Sequence, residues 1–451
     1  MSERFIPPYP PRGSGPVPVW RGFVGERARS AVYGWSELAF EKWHIERNVF
    51  GHRVHIVMHP DMVQHVLLDN AANYEKPKLV KKLLKPVIGR GLLSSDGELW
   101  RAQRKIVAAS FAPPAVDDLM PVFGEVAQSA ANAWSAGVRD MAREATRATM
   151  QVISKALFSG DPRLTSEEAM AHIAHALEGV SEARMQLLLG LPMIPISPRG
   201  LRGRRGQIYL RRTLSTLVHE RMQPGAPDDF VTQMIRALHE RFPEREAVEL
   251  AVDNAATFYL AGHETTANAI SWTLFILSEQ PEWQERASGE AAAALAGGVD
   301  ADLPSRLPVL RMIVDEVLRL YPSAPRFDRE AVAADRIGGI DVQPGDLVSM
   351  WPWLIHRHRK LWDDPDVFDP ERFSAARKDQ RHRFQYIPFG AGPRTCVGAR
   401  FAMAEGLTIL ACWLAKWRFA PIPDRQVQVS GMVTLRPKGG LPLLIDPRRP
   451  T

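Results

Sequence analysis

The chain has 451 residues, of which 45% are hydrophobic and 24% are charged. These fractions exclude a disordered or fibrous protein and predict a globular one with a buried core. The net charge of +6 permits an acidic partner, but no nucleic-acid-binding motif accompanies it, so we expect no nucleic acid partner. Two cysteines are too few for a disulfide framework, which favours a reducing, cytoplasmic location.

The amino-terminal segment, residues 1–18, is rich in proline and carries the charges of Glu3, Arg4 and Arg12. It lacks the apolar stretch that a signal peptide or an anchor requires, so we expect no transmembrane anchor. After it, the alternation of side chains predicts a strand over 53–58, and the spacing of apolar residues predicts a short helix over 60–69. A small sheet near the amino terminus follows from this pattern.

Helical spacing of apolar residues recurs over 97–111 and over 165–189. Residues 190–206 break the pattern with three prolines, followed by four arginines: Pro192, Pro195, Pro198, Arg199, Arg202, Arg204 and Arg205. This composition predicts a mobile lid between two helices. A solvated connector and a loop that touches a membrane surface are the alternatives.

A long helix is predicted over 246–280, ending before Pro281, and a second one over 308–321, ending before Pro322. Residues 337–352 contain glycine and proline turns between apolar runs and predict short strands. Most of the chain is therefore predicted to be helical. The sequence shows neither an internal repeat nor a low-complexity tract that would mark a second module.

The long helix contains the run Ala261, Gly262, His263, Glu264, Thr265 and Thr266. Gly262 costs a helix about 1 kcal/mol, so we expect a functional reason for it. Ala261 and Thr265 lie one turn apart, and their small side chains leave room on that face for a diatomic ligand. The Thr265 hydroxyl can hold a water while Glu264 resupplies protons, although a lone threonine often bonds back to its own helix.

A single cysteine stands in a glycine-rich, cationic loop, residues 389–398, that enters a predicted helix over 399–415. A thiol at a helix start lies near the unpaired amides and the positive end of the helix dipole, which favour the thiolate that iron binds. Gly392 and Gly398 let the backbone turn tightly, and Arg394 can pair with a carboxylate. The other cysteine, Cys412, is predicted to be a buried structural thiol.

The loop resembles the haem-binding signature of the cytochrome P-450 family at five positions: Phe389, Gly392, Arg394, Cys396 and Gly398. The resemblance implies a single domain over 1–451 with the cytochrome P-450 fold, mainly α with a small β subdomain. It also implies a haem b whose axial ligand is the Cys396 thiolate. The run from Ala261 is similar to the oxygen-activation motif of that family, which makes Glu264 and Thr265 the catalytic pair and places Ala261 beside the haem.

Other matches are implied by the same resemblance. Trp100 and Arg104 resemble a clamp for the haem propionates, and Arg329 and Arg394 resemble two further propionate ligands, with Arg326 as the alternative to Arg329. The scaffold triad is matched by Glu316, Arg319 and Arg372, and residues 433–444 resemble the final hairpin. Arg394 stands where many soluble bacterial members have histidine, which points to a different branch.

The implied reaction is monooxygenation, in which one atom of O2 enters a hydrophobic small molecule and the other leaves as water. A fatty acid, a terpenoid and an aromatic compound all fit. The expected substrate contacts are Phe258, Tyr259, Ala261, Ala324, Met432, Val433 and residues 189–196. Electrons would come from a separate ferredoxin that docks on Arg381, Arg383 and Arg400. A haem-thiolate peroxygenase or isomerase, and a non-catalytic haem sensor, are the alternatives.

Overall fold

A computed structural model describes residues 4–15, 25, 30–49, 51–188, 193–378, 380–431 and 433–448. The chain forms two compact units. One comprises Met1–Tyr74, Phe123–Ala148 and Thr265–Thr451, and the other comprises Glu75–Val122 and Thr149–Glu264. We call them the cysteine unit and the second unit. That the whole chain is a single domain stays a prediction.

The fold is mainly helical. The α-helices are, in chain order, α1 (Pro60–Gln64), α2 (Lys78–Ile88), α3 (Gly97–Ala108), α4 (Pro113–Asp117), α5 (Met120–Asn132), α6 (Met141–Phe158), α7 (Glu167–Leu188), α8 (Pro198–Arg221), α9 (Phe230–His239), α10 (Glu244–Glu279), α11 (Pro281–Leu295), α12 (Pro308–Leu320), α13 (Pro352–Ile355), α14 (Ala375–Lys378) and α15 (Ala399–Lys416). The helices predicted over 97–111, 165–189, 246–280, 308–321 and 399–415 are confirmed within a few residues.

The strands are short. In chain order they are β1 (His44–Val49), β2 (His52–Val57), β3 (Tyr74–Glu75), β4 (Gly137–Asp140), β5 (Phe327–Ala331), β6 (Asp335–Ile337), β7 (Ile340–Val342), β8 (Leu347–Met350), β9 (Trp417–Ala420), β10 (Val429–Ser430), β11 (Arg436–Pro437) and β12 (Pro442–Pro447). The main sheet has the order β1-β2-β8-β5-β3, and a second sheet has the order β4-β12-β9. The strands predicted near 53–58 and within 337–352 are confirmed.

The prediction of a final hairpin over 433–444 is wrong. Strand β11 pairs with β10, at Val429↔Pro437 and Ser430↔Arg436, whereas β12 pairs with β4 and β9 in a different sheet. The reason is that Gly439 and Gly440, both at positive φ, separate the two strands and let the chain leave one sheet for the other.

In the cysteine unit, α15 is the central helix and is buried along most of its length because it is apolar on all sides. It packs on α11, where the Ser288 hydroxyl donates to the Leu414 carbonyl over 2.9 Å. The Trp413 indole donates to the Ala127 carbonyl over 3.1 Å, and its ring meets that of Trp134 edge to face at 4.8 Å. These contacts hold the helix that begins directly after the cysteine loop.

The predicted scaffold triad is formed by α12 and the 3₁₀ turn Pro370–Phe373. Arg319 donates from Nε and Nη2 to the two carboxylate oxygens of Glu316, each over 2.7 Å, and both side chains are fully buried. Arg372 Nε lies 3.5 Å from the same carboxylate. Arg319 also donates to the carbonyls of His356 and Pro365, so this cluster ties separate loops to one helix.

In the second unit, α7 and α8 cross at close range. A Cβ on Gly203 would lie 2.6 Å from the Cα of Gly179, and one on Gly206 would lie 2.1 Å from the His172 carbonyl oxygen. Only glycine allows the two backbones to come this near. The helix α8 begins at Pro198, and the Ser197 side chain caps it by accepting from the Gly200 amide.

The prediction of a lid over 190–206 is therefore wrong for its second half, because 198–206 form the first two turns of α8. Gly203 and Gly206, which fall in the predicted lid, lie on the buried face of this helix. Residues 189–192 lie outside the described residues. Within the described chain no single helix has the length and apolar character to cross a membrane, while one bent pair, 97–111 with 113–132, meets that test.

Candidate active site

Cys396 lies two residues before Gly398, the N-cap of α15, and its side chain is exposed. Its amide donates to the Phe389 carbonyl over 2.8 Å, and the Thr395 amide donates to the Gly392 carbonyl over 3.1 Å. These two bonds fold the loop so that the thiol stands at the amino-terminal end of a long buried helix. The positive end of the helix dipole lies there and favours the thiolate.

Gly392 has a conformation and a position that only glycine can take. Its φ is +69°, and a Cβ on it would lie 1.8 Å from the Leu67 carbonyl oxygen. The loop therefore rests directly on the π-helical turn His65–Asp69. Gly398 differs. The chain does turn at residues 397–398, as predicted, but the φ of −89° at Gly398 lies in the range of ordinary residues, so this turn does not require glycine.

Two arginines of the cysteine unit, Arg329 and Arg394, are predicted to bind the haem propionates. Arg329, on β5, is buried and donates to the Asp328 carbonyl over 2.9 Å, and Arg394 is half-buried in the 3₁₀ turn Gly392–Arg394. Arg326, the alternative to Arg329, is occupied by an ion pair with Asp328 at 3.2 Å and by the ring of Trp351. The choice of Arg329 over Arg326 stays a prediction.

The middle of α10 carries an accessible face within a buried helix. Residues 251–260 are all buried, whereas Ala261 is exposed and Glu264 and Thr265 are half-buried. The Thr265 carbonyl accepts from the Ser323 hydroxyl over 2.9 Å. Small, accessible side chains at positions one turn apart are what a helix that faces a flat ligand needs.

Two other residues of this run, Gly262 and His263, have packing contacts, and the functional reason expected for the run stays a prediction. A Cβ on Gly262 would lie 2.6 Å from the Ile153 side chain, so the glycine lets α6 approach. The buried His263 ring bonds to the Tyr259 carbonyl over 2.6 Å, and burial lowers its pKa. Neutral His263 is therefore part of the core.

Glu405 is a buried carboxyl group that the sequence analysis missed. It lies on α15, and the Thr266 hydroxyl is near enough to stabilise its carboxylate in part, yet among the described atoms neither of its oxygens has a partner at full hydrogen-bond geometry. Burial raises its pKa well above the ordinary value. The sequence signal was a lone acidic residue in an apolar helix.

Trp100 and Arg104, the predicted propionate clamp, lie on α3 in the second unit and are both half-buried. They stand four residues apart, so their side chains share one face of the helix. Their part in the site stays a prediction.

Two of the expected substrate contacts belong to the core instead. Phe258 is buried between the rings of Phe111 and Phe230, at 5.4 and 5.2 Å. Tyr259 is fully buried and donates its hydroxyl to the Leu164 carbonyl. Both side chains point to the packed side of α10, which periodicity alone could not tell from the accessible side. Met432 lies outside the described residues.

The residues fit a haem held by thiolate. The donor is a soft sulfur, exposed and at a helix start, and the same unit supplies the buried cation Arg329 and the accessible Thr265. The second thiol does not compete, because Cys412 is buried and burial raises its pKa to about 12. The predicted roles of the two cysteines agree with this geometry.

Comparisons with known proteins agree with the site. The family model named Cytochrome P450 matches residues 45–442. The chain is 30% identical to Cytochrome P450 714C3 of Oryza sativa subsp. japonica, over 86% of this chain and 79% of that protein. It is 30% identical to Cyclooctatin synthase and 29% identical to Cyclooctat-9-en-7-ol 5-monooxygenase, both of Streptomyces melanosporofaciens, each over 88% of this chain and 86% of the relative.

Among solved structures, the heme domain of cytochrome P450DA superposes with a TM-score of 0.83, at 23% identity and over 99% of both chains. This likeness confirms the predicted fold, mainly helical with small sheets. The family match covers far more than half of the sequence, and relatives within it are named as monooxygenases. The chain therefore belongs to the cytochrome P450 family and is a haem-thiolate monooxygenase of that family.

Proposed function

We propose that this protein uses one haem b, bound through Cys396, to insert one oxygen atom of O2 into a hydrophobic small molecule, with electrons from a separate ferredoxin-type donor. The observation that carries the proposal is the exposed Cys396 thiol at the start of α15, in the loop 389–398. When bound, the haem supplies the activation of dioxygen. The protein supplies the ligand, the orientation and the protons.

The thiolate is stabilised by its place in the chain. The helix dipole of α15 lowers the free energy of a negative charge at its amino-terminal end. The Phe389 ring, in the same loop, is proposed to pack against the sulfur and restrict water around it. Gly398 at the N-cap adds no side chain beside the ligand. Arg394 and Arg329, with Trp100 and Arg104 of α3, are proposed to bind the two propionates.

Thr265 and Glu264 are proposed to deliver protons to the site. A threonine hydroxyl both donates and accepts, so Thr265 can hold a water on the accessible face of α10, and the Glu264 carboxyl can exchange protons with solvent. The hydrogen bond from Ser323 to the Thr265 carbonyl fixes the backbone at this point. Ala261, one turn earlier, keeps that face open.

The substrate is proposed to be a hydrophobic small molecule such as a fatty acid, a terpenoid or an aromatic compound. Two relatives are named after cyclooctatin and cyclooctat-9-en-7-ol, which supports a largely hydrocarbon substrate class. At 29 to 30% identity the substrate of a relative does not transfer to this chain.

The ferredoxin-type donor is proposed to dock by charge. Arg383 and Arg400 are exposed near the two ends of the cysteine loop segment. Arg381, which we included from the sequence, is half-buried on the rings of Phe373 and Trp362, at 4.2 and 5.3 Å, so we remove it from the proposed docking surface. A cytoplasmic location is proposed with this partner, and the two free thiols support it.

The test is the absorption spectrum of the purified protein after reduction and exposure to carbon monoxide, measured beside Cys396→Ser and Cys412→Ser variants. We expect a strongly red-shifted Soret band in the wild type and in Cys412→Ser, and its loss in Cys396→Ser. A histidine-like spectrum in the wild type would refute the proposal.

Turnover assays separate the alternatives. Product formation from O2 that requires a ferredoxin and its reductase supports the proposal. Peroxide-driven turnover of equal rate without a reductase would make the protein a peroxygenase, rearrangement without any oxidant would make it an isomerase, and haem binding without turnover would make it a sensor.

A further inference from the structure

Ser323 lies where three segments of the cysteine unit meet. These segments are the part of α10 from Thr265 onward, the stretch that follows α12, and the turn that precedes β11. Ser323 belongs to the second segment and is buried, with 9% of its surface exposed. Its side chain bonds to the first segment and its main chain bonds to the third, so this one residue joins all three.

The side chain of Ser323 is bonded to the main chain of Thr265. The serine hydroxyl donates to the Thr265 carbonyl over 2.9 Å. A helical carbonyl oxygen has two lone pairs, and the amide four residues later in the helix takes only one of them. The hydroxyl therefore adds an anchor from outside the helix without breaking the bonds within it. The anchored residue is the one whose own hydroxyl is proposed to hold a water.

The main chain of Ser323 is bonded to the turn before β11. Its carbonyl accepts from the Leu435 amide over 3.1 Å, and the Leu435 carbonyl accepts from the Trp272 indole over 3.2 Å. Trp272 lies on α10, seven residues after Thr265, so the bonds form a closed ring that starts and ends on one helix. Leu435 and Trp272 are fully buried, which strengthens these bonds because water does not compete for them.

The turn before β11 is also held at its other end. Gly431 has a φ of +127°, and a Cβ on it would lie 1.7 Å from the Thr434 carbonyl oxygen. Only glycine permits this close return of the chain. The Gly431 carbonyl accepts from the Ala31 amide over 3.0 Å. The turn is therefore anchored at Ala31 before it and at Ser323 after it.

Two of the predicted substrate contacts lie on the segments that Ser323 joins to α10. Ala324 follows Ser323 directly and is half-buried. Val433 stands two residues before Leu435 and is 50% exposed. A substrate that contacts these two residues touches segments that are bonded, through Ser323, to the main chain of Thr265.

We propose that Ser323 is a positioning residue that couples these two substrate-contacting segments to Thr265. The inference rests on the role proposed above for Thr265. Because one residue fixes both the Thr265 carbonyl and the turn at Leu435, it sets where Thr265 stands relative to a bound substrate. Without the Ser323 hydroxyl, more of the O2 leaves as hydrogen peroxide, which takes up two electrons and two protons, and less is divided between product and water.

A hydroxyl with a purely structural role is available as a control. Ser278 lies on the same helix, is 4% exposed, and donates to the Phe275 carbonyl of that helix over 2.7 Å. Ser278→Ala therefore removes a buried hydroxyl whose hydrogen bond joins no second segment. Ser323→Thr is the conservative variant, because it keeps the hydroxyl that Ser323→Ala removes.

The first measurement is the yield of hydrogen peroxide per electron pair. The full-length haem-loaded protein receives electrons from NADPH through a ferredoxin and its reductase. Dodecanoic acid, geraniol and naphthalene are the probes, and the one that gives the lowest peroxide yield with wild type is used. We expect Ser323→Ala to raise the yield by about three-fold or more, since a small displacement of a positioned group has large effects. Ser323→Thr and Ser278→Ala should match wild type.

The second measurement needs no turnover. Hydrogen exchange of the haem-loaded protein reports how firmly the segments are held. Ser323→Ala should speed exchange at the Leu435 amide and over 265–272 by about two- to ten-fold, as expected for the loss of one hydrogen bond. Ser278→Ala should leave the Leu435 amide unchanged. Equal exchange at Leu435 in wild type and Ser323→Ala overturns the inference.

Thr265→Ala separates this inference from the function on which it rests. If Thr265→Ala raises the peroxide yield and Ser323→Ala does not, the inference is overturned while the role of Thr265 stands. If Thr265→Ala leaves the yield unchanged, the proposed role of Thr265 fails and the inference fails with it. A rise in Ser323→Ala that Ser323→Thr shows equally would mean that the hydroxyl is not the cause, and also overturns the inference. The carbon monoxide spectrum of each variant shows that it is folded.

Discussion

Gly392 offers a sharp test of the cysteine loop, because Gly390 in the same loop is a matched control. The two have nearly equal φ values, +69° and +70°, but a Cβ on Gly392 would lie 1.8 Å from the Leu67 carbonyl oxygen, whereas one on Gly390 would meet only the Phe327 ring, at 3.9 Å. Both substitutions by alanine therefore cost the same left-handed strain. Only Gly392→Ala adds a clash with the backbone.

The magnitude follows from these distances. Left-handed strain costs about 1–2 kcal/mol, which is the whole expected loss for Gly390→Ala. A contact below 3.0 Å is essentially never observed for Cβ, so Gly392→Ala must move the loop or the Leu67 turn by at least 1.2 Å, the difference between 3.0 and 1.8 Å. Overpacking of this kind costs about 1–3 kcal/mol more. The expected total is about 2–5 kcal/mol.

The displacement also reaches the ligand, because the Gly392 carbonyl accepts from Thr395 and the Phe389 carbonyl accepts from Cys396. A site loosened by about 1 Å loses its function. We expect Gly392→Ala to lose most of the thiolate-type Soret band and Gly390→Ala to keep it. Urea unfolding and the carbon monoxide spectrum measure the two effects. Equal stability and equal spectra in both variants would refute the placement of this loop.

Three further predictions concern buried groups. Arg319→Met should cost about 3–5 kcal/mol in urea unfolding, because it leaves the fully buried Glu316 carboxylate without its bidentate partner. Glu405→Gln should become more stable relative to wild type as the pH rises. The pKa of Glu405 in the folded protein lies above its ordinary value of 4.5, so its contribution to stability is complete below about pH 4.5 and is lost progressively as the pH rises through the folded pKa. In haem-free protein at about pH 8, a thiol reagent should label Cys396 but not Cys412, whose pKa is about 12, and haem should then protect Cys396.

Each of these predictions has a result that contradicts it. For Arg319→Met, a loss no larger than that of the surface variant Arg418→Gln would show that the buried pair is not essential. For Glu405→Gln, a stability difference that stays constant from about pH 5 to about pH 8 would mean that the carboxyl is not held protonated. For the cysteines, labelling of Cys396 at equal rates with and without haem would exclude it as the ligand.

The sequence by itself determined the parts of this protein that depend on local chemistry. Proline and apolar periodicity determined the long helix α10 and its neighbours within a few residues, because both act over a few positions along the chain. The residue types in 389–398 predicted Cys396 as the ligand. The pair Glu316 and Arg319 could be predicted because residues three apart on a helix are neighbours on its surface.

Only the tertiary structure decided which side of a helix or strand is buried and what structural role each glycine has. Gly203 and Gly206 fall in the predicted lid, yet they form the contact between α7 and α8. The sequence also did not show that Gly262 makes room for Ile153. Phe258 carried no local signal, and the signal of Glu405, a lone acidic residue in an apolar helix, did not show what surrounds it, since the roles of both come from residues far away in the chain. A glycine permits either a turn or the close approach of another element. Which of the two it serves depends on the residue that packs against it in the folded chain, and the sequence does not show which residue that is.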